Sequence, residues 1–292
     1  MQKIKAFLNF FLIKVAHYIL QKKANKLIEN ENRPTAIYAF DDIGHLINLE
    51  GTYERRELAA LKDFLISNHM VGGCLINVGA NIGNHTICLI DLFEQTISFE
   101  PNEKTFKLLE LNLTPFEGAI AVNKALESKN ESAYMEINKT NRGASFMTQK
   151  PTAAKVETIT LDSFSREHDF FSTAGRHAPV IKIDVEGYEL NVLEGADQFI
   201  RAYHPVIVFE QHPKDIFNGT SLVINKLKKF RYKNFFSTQT GEDKIKNRYL
   251  KTVHRAFSFL VFGDRLKFKK LKYFPTATHP MVVATFNSSN EN

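Results

Sequence analysis

At 292 residues the chain can bury one sizeable core with extensions, or two small ones. An apolar content of 43% and a charged content of 24% exclude a disordered chain. Cys74 and Cys88 are the only cysteines. Both sit in apolar runs, which argues against a disulfide framework or a CxxC metal pair and for two reduced core thiols in a cytosolic protein. The net charge of +6 is uneven, with 15 Lys+Arg against 3 Asp+Glu between Lys226 and Lys272. Such a stretch suits an anionic surface or a solvated face; with no RNP-like or zinc-finger pattern beside it, nucleic acid is disfavoured.

In chain order, "IKAFLNFFLIKVAHYILQ" (Ile4 to Gln21) predicts an amphipathic helix. Ile4, Leu8, Phe11, Leu12, Val15, Tyr18 and Ile19 share one broad face, opposite Lys3, Lys14, His17 and Gln21. The segment is expected to be too short and too interrupted to span a bilayer, and it lacks a signal-peptide cleavage site. Residues 3–21 would lie in an anionic membrane interface, on the cytoplasmic side, or dock on protein. Residues 31–70 form a lead-in, with short strands predicted in "TAIYAFDDIGHLINLE" and a helix near Tyr53 to Asn68.

From 71 to 235 the pattern alternates. Strands are expected at Leu75 to Val78, Thr96 to Phe99, Ala119 to Val122, Val180 to Ile183 and Val206 to Phe209. Helices are expected at Gly83 to Phe93, Asn102 to Leu113, Tyr188 to Ile200 and Ser221 to Phe230. A less regular β stretch (Ala133 to Ile137, Val156 to Thr160) interrupts them. This predicts an α/β fold with a mostly parallel sheet covered by helices on both faces. The basic extension, 236–292, carries "AFSFLVF" and "MVVATF", two strands able to extend the sheet antiparallel.

"CLINVGANIGNHTICLI" reads as a strand, a glycine-broken turn and a helix start. Gly79 and Gly83 let the backbone approach a ligand, and the helix start favours an anion. Glu100, ending the next strand in "ISFEP", is placed to accept hydrogen bonds from ribose hydroxyls. A dinucleotide loop needs a second glycine where Asn81 stands. The pattern therefore suits the amino-acid end of S-adenosylmethionine, with Asn77 or Asn81 available to bond it. A nicotinamide oxidoreductase is the alternative.

"INVGANIGNHT", "SFEPNEKTFKLLELNL", "VNKAL", "TITLDSF", "IKIDVEGYELNVLEGA" and "VIVFEQHP" resemble, in order and spacing, the FkbM-type methyltransferases over about residues 74 to 215. The resemblance implies a class I Rossmann-like fold and S-adenosylmethionine-dependent O-methylation of natural products or sugars. It also implies that Gly79, Asn81 and Gly83 shape the methionine pocket, Glu100 holds the ribose and Ala125 lies near the adenine. Asn77 departs from the acid that many members carry, so a partner for the cofactor's ammonium must come from elsewhere.

Methyl transfer to a hydroxyl needs a positioned acceptor and gains from a base. Strand ends supply Asp184 and Glu186 from "IKIDVEG", and Glu210 and His212 from "VFEQH". The same four side chains could instead collect a divalent ion. Asp184 could alternatively cap a helix, and His212 could be a structural hydrogen-bonder. His85 is expected to pack beside the loop. Arg142, in "TNRGAS", could bind an acceptor carboxylate or phosphate, or lie on the surface. The expected function is O-methylation of a glycan or related polyhydroxylated acceptor. A glycan- or membrane-binding scaffold on a lapsed fold is the non-enzymatic alternative.

Overall fold

A computed structural model describes residues 2–30, 32–138, 145–148, 150–168, 177–238 and 266–286. The first helix, α1 (Gln2–Glu29), is 28 residues long, about 42 Å at 1.5 Å per residue. It outruns the expected span, and the expected single face is not kept: at helical spacing Leu20 falls opposite Phe11, and both are exposed. By length and composition alone it could cross a membrane, contrary to the expectation from sequence. None of its residues is buried, and only Ala24 and Leu27 are partly covered.

The lead-in corrects a second expectation. Residues 42–50 form a helix, α2 (Asp42–Glu50), not strands. The Asp41 side chain accepts from the Ile43 N–H at 3.0 Å and caps its start, while Gly51 (φ 84°) turns the chain out of its end. Ile43 and Ile47, four apart, bury its inner face. α3 (Arg55–Ser67) follows with Leu58, Leu61 and Leu65 fully buried, and Tyr53 and Glu54 stay outside the helix.

The alternation then runs β1 (Cys74–Val78), α4 (Asn84–Leu89), β2 (Gln95–Phe99), α5 (Glu103–Leu113) and β3 (Ala119–Val122). The interruption is β4 (Ala125–Leu126), β5 (Ser132–Glu136), β6 (Phe146–Thr148) and β7 (Ala154–Ile159), which make a separate four-stranded sheet. α6 (Leu161–Glu167), capped by Thr160, returns the chain to β8 (Val180–Ile183). The helix expected over 188–200 is two, α7 (Glu189–Glu194) and α8 (Asp197–Tyr203). The break falls at Gly195, where any Cβ would sit 2.0 Å from the Glu127 carbonyl oxygen, and Asp162 accepts the first N–H groups of α8 from Gln198 and Phe199. β9 (Val206–Gln211), α9 (Leu222–Lys229), β10 (Tyr232–Ser237), β11 (Lys269–Leu271) and β12 (His279–Phe286) complete the described chain.

Eight strands form one sheet in the order β11-β10-β12-β9-β8-β1-β2-β3. β3, β2, β1, β8 and β9 are parallel, and β12 runs antiparallel between β9 and β10. The "MVVATF" strand thus lies inside the sheet rather than at its rim; "AFSFLVF" lies outside the described residues, as does Arg142. β1 and β8 are buried along their whole length, because helices cover both faces. The larger core cluster packs Ile76, Val78, Ile97 and Phe99 against Ile181, Ile183 and the helices after β7. A second, on the opposite face, sets Leu75, Val180 and Val208 against α3. Cys74 is buried and Cys88 half-buried, both free thiols.

Candidate active site

The direction of strand addition reverses between β1 and β8. At such a point the loops at the carboxyl ends part, and a crevice is left between them. Here it is a cleft with about 1170 Å³ of empty space, its open mouth included. Gly79, Ala80, Asn81 and Glu100 form one wall, and Ala125, Met135 and Met147 another. Asp184, Glu186 and Glu210 line it as well, together with Tyr53, Glu54 and His85.

The loop is built for close backbone approach. Gly79 has φ +77°, and a Cβ there would lie 1.9 Å from the Asp184 carbonyl oxygen. Gly83 is also left-handed (φ +91°) and packs under Leu109. Asn81 takes φ +51°, which asparagine tolerates better than most residues. Its N–H donates to Glu100 Oε2 at 3.1 Å, and the Asn102 N–H donates to Oε1 at 2.8 Å. Asn123 Nδ2 donates to the Glu100 carbonyl at 2.8 Å and fixes the strand end. Glu100 is only 5% exposed, and burial pushes its carboxyl up to about 7 against the pull of the two N–H groups.

Asn77 is placed differently from the expectation. It is 1% exposed, and its Nδ2 donates to Thr86 Oγ1 at 2.8 Å, which lies 2.8 Å from Ser98 Oγ. On β1 its side chain alternates away from Val78, under α4 rather than toward the cleft. Ala125 lies in the cleft wall, with Met135, Met147 and Tyr188 packed around it.

The other cleft carboxylates differ in their surroundings. Asp184 Oδ2 is 2.8 Å from Lys182 Nζ. Burial pushes this carboxyl up, but the Lys182 ammonium, with His85 and His212 nearby, holds it below the usual range. Lys182 is 3% exposed in the middle of an apolar strand. Its position two residues before Asp184, on the same strand face, was the available signal for the pair. Glu186 is left-handed (φ 53°) in the turn before Gly187. Its oxygen lies 3.7 Å from His212 Nε2, and Glu210 Oε1 lies 3.7 Å from His212 Nδ1. The imidazole therefore sits between two carboxylates, which brings together all four residues singled out in the sequence. Burial, then Asp184, Glu186 and Glu54, push Glu210 up to about 8. Among the described residues no group of three or more His, Cys, Asp or Glu side chains is arranged to hold a metal ion.

Two cleft residues escaped sequence reasoning, Tyr53 and Glu54, which lie just before α3. His85, expected to pack beside the loop, lines the cleft with Nε2 3.1 Å from Glu54 Oε2. Burial first, then the Glu54 charge, raises the Tyr53 phenol above its ordinary value.

A sheet that reverses direction over a glycine loop, ends its second strand in an acid and carries antiparallel β12 between β9 and β10 has the arrangement of a class I methyltransferase fold. Residues 77–234 match the family described as the methyltransferase FkbM domain, and the chain belongs to that family. This membership argues against the expected oxidoreductase alternative. Hexuronic acid methyltransferase AglP of Haloferax volcanii is 29% identical over 147 residues, which is 49% of this chain and 59% of that protein. The chain thus spans just over half the length of this relative. Among solved structures, methyltransferase FkbM from Methylobacillus flagellatus KT is 14% identical with a TM-score of 0.41, covering 74% of this chain and 44% of that one. An O-methyltransferase from Bacillus cereus in complex with SAH is 10% identical with a TM-score of 0.39, covering 92% of this chain and 91% of that one.

Proposed function

We propose that the protein is an S-adenosylmethionine-dependent O-methyltransferase acting on a hydroxyl of a glycan or related polyhydroxylated acceptor. The observation that carries the reading is the single cleft shared by the Gly79–Gly83 loop, the buried Glu100 carboxylate and the Asp184–Glu186–Glu210–His212 group. The cradle fits the cofactor: Gly79 lets the loop pack against the Asp184 backbone, where any Cβ would collide, and the Glu100 oxygens are already fixed by two N–H groups. Gly79, Asn81 and Gly83 would hold the amino-acid end, Glu100 the ribose, and Ala125 with Met135 and Met147 the adenine. The bound cofactor supplies an electrophilic methyl group on a sulfonium.

The chain's own contribution is to position the acceptor oxygen and take its proton. Asp184, neutralised by Lys182, is the weakest base of the set and the best fixed group for orienting a hydroxyl. Glu210 with His212 is the best placed to hold the proton, because burial and like charges keep Glu210 basic near neutral pH. The glycan class is supported by the relationship to a hexuronic acid methyltransferase. Label transfer from radioactive S-adenosylmethionine to neutral, amino and acidic oligosaccharides tests it: label resistant to mild base in a sugar supports an ether. Label confined to protein, RNA or ester-bearing products would overturn the acceptor class.

The exposed apolar surface of α1, lysine-bearing at both ends, supports seating at an anionic bilayer. Removal of residues 1–29 is expected to shift the protein from sedimenting with anionic vesicles to the supernatant. Equal sedimentation of both forms would sink this assignment.

A further inference from the structure

We infer that Glu54, held in place by Asn84, is the counter-ion for the ammonium group of the cofactor's amino-acid end. This inference rests on the S-adenosylmethionine reading above. In that molecule the ammonium and carboxylate are borne by one carbon. Whatever pairs with the ammonium must therefore border the loop that receives the carboxylate. Asn77 carries no charge and does not line the cleft, its Nδ2 donating to Thr86 beneath α4, so the acid has to come from another element.

The acids facing the cleft are distinguished by what already occupies them. Glu100 already accepts two backbone N–H groups, from Asn81 in the loop and from Asn102. Asp184 is bound to the Lys182 ammonium at 2.8 Å. Glu186, past the end of β8, and Glu210, on β9, flank His212. Whereas Asp184, which also feels His85, is already paired with Lys182, Glu54 reaches the start of α4, its carboxylate 3.1 Å from Nε2 of His85, two residues after Gly83. That approach lacks the alignment of a hydrogen bond, and the His85 nitrogen, in a residue only 8% exposed, is otherwise unpartnered. The Glu54 oxygens thus keep acceptor capacity toward the cleft, and a buried polar nitrogen is left beside them.

Glu54 also adopts a backbone conformation that a non-glycine residue rarely takes, φ 53° and ψ 40°. Its predecessor is clamped at both polar groups by one side chain. The Tyr53 N–H donates to Asn84 Oδ1 at 3.0 Å, and Asn84 Nδ2 donates to the Tyr53 carbonyl at 3.0 Å. Thr52 Oγ1 donates to the same Asn84 oxygen at 2.9 Å. Asn84 is the first residue of the helix that follows the loop, so the clamp ties the position of Glu54 directly to the loop. Local strain of this kind is retained where surrounding contacts over-determine it, and such places concentrate at ligand sites.

The test is calorimetric titration of the full chain with two ligands, S-adenosylhomocysteine and 5′-methylthioadenosine. The second keeps the nucleoside and thioether but has neither ammonium nor carboxylate. Glu54→Gln is expected to weaken S-adenosylhomocysteine binding roughly 10- to 100-fold, the worth of a charge-assisted contact, while methylthioadenosine binding stays within about twofold. Asn84→Ala, which frees the clamp and keeps the acid, is expected to produce the same selective loss to a smaller degree. Equal loss of both ligands in both variants, or no loss in Glu54→Gln, would overturn the assignment while leaving the cofactor reading intact. A wild-type protein that binds neither ligand would overturn the cofactor reading, and this assignment with it.

Discussion

Glu100→Ala is expected to weaken S-adenosylhomocysteine binding by at least about 100-fold. Each charge-assisted hydrogen bond is worth about 1.5–3 kcal/mol, and the side chain is proposed to accept from two ribose hydroxyls. The variant also leaves the Asn81 and Asn102 N–H groups without their acceptor in a buried setting. An unsatisfied buried donor costs about 1–3 kcal/mol, so a lowered melting temperature accompanies the binding loss. Glu100→Gln separates the two effects, since one carboxamide oxygen still accepts while its NH₂ opposes the second N–H. It should bind about tenfold less tightly than wild type, with a smaller drop in stability. Because burial pushes this carboxyl up to about 7, the ionised acceptor is populated only above that value. Affinity in the wild type is therefore expected to rise between about pH 6 and pH 8, and in Glu100→Gln to stay flat across the same window. The stability linkage runs the other way: a carboxyl whose folded pKa exceeds its unfolded value of 4.5 contributes stability at low pH that is lost as pH rises through about 7. Unchanged affinity in Glu100→Ala would remove the nucleoside from this wall of the cleft.

The elements that were legible in the sequence are those whose identity is set locally. β3 and β8 match their expected ends, and β1, β2 and β9 differ by one or two residues, because apolar runs bounded by turns need no distant partner to be recognised. α2 was not read as a helix within "TAIYAFDDIGHLINLE", where strands were expected; the decisive signals were Asp41 as a cap and the Ile43–Ile47 spacing. The division of α7 from α8 depends on Glu127, about 70 residues earlier in the chain, standing where a Gly195 side chain would be. The cleft shows the same contrast. The glycine loop, Glu100 and the four residues of the strand ends follow from position at the carboxyl ends of strands. The Glu54–His85 approach joins residues 31 apart, and the turn of Asn77 under α4 depends on Thr86 and Ser98. No periodicity encodes either arrangement.

Glu210→Gln is expected to lower methyl transfer by about 10²- to 10⁴-fold, the usual range for a positioned general base. Glu210 is buried, and like charges on Asp184, Glu186 and Glu54 add to the effect of burial, which puts its carboxyl at about 8. As a raised acid it is protonated at low pH and becomes a base as pH rises. The wild-type kcat/KM should therefore climb toward about pH 8 and level off above it, and Glu210→Gln should lose that limb. Lys182 works against the shift, and Lys182→Met would remove that opposition together with the partner of Asp184. The apparent value belongs to the group rather than to one residue, since the His212 ring lies 3.7 Å from both Glu186 and Glu210. His212→Asn is accordingly expected to move the limb and reduce the plateau rather than erase the dependence. A limb that survives intact in Glu210→Gln and vanishes in His212→Asn would transfer the role to the imidazole, with the two carboxylates orienting it. Binding of S-adenosylhomocysteine should be unchanged in both variants, because the proton-handling side chains are assigned to the acceptor and not to the cofactor. A parallel loss of binding and rate would mean that these residues build the cofactor site instead of serving the acceptor.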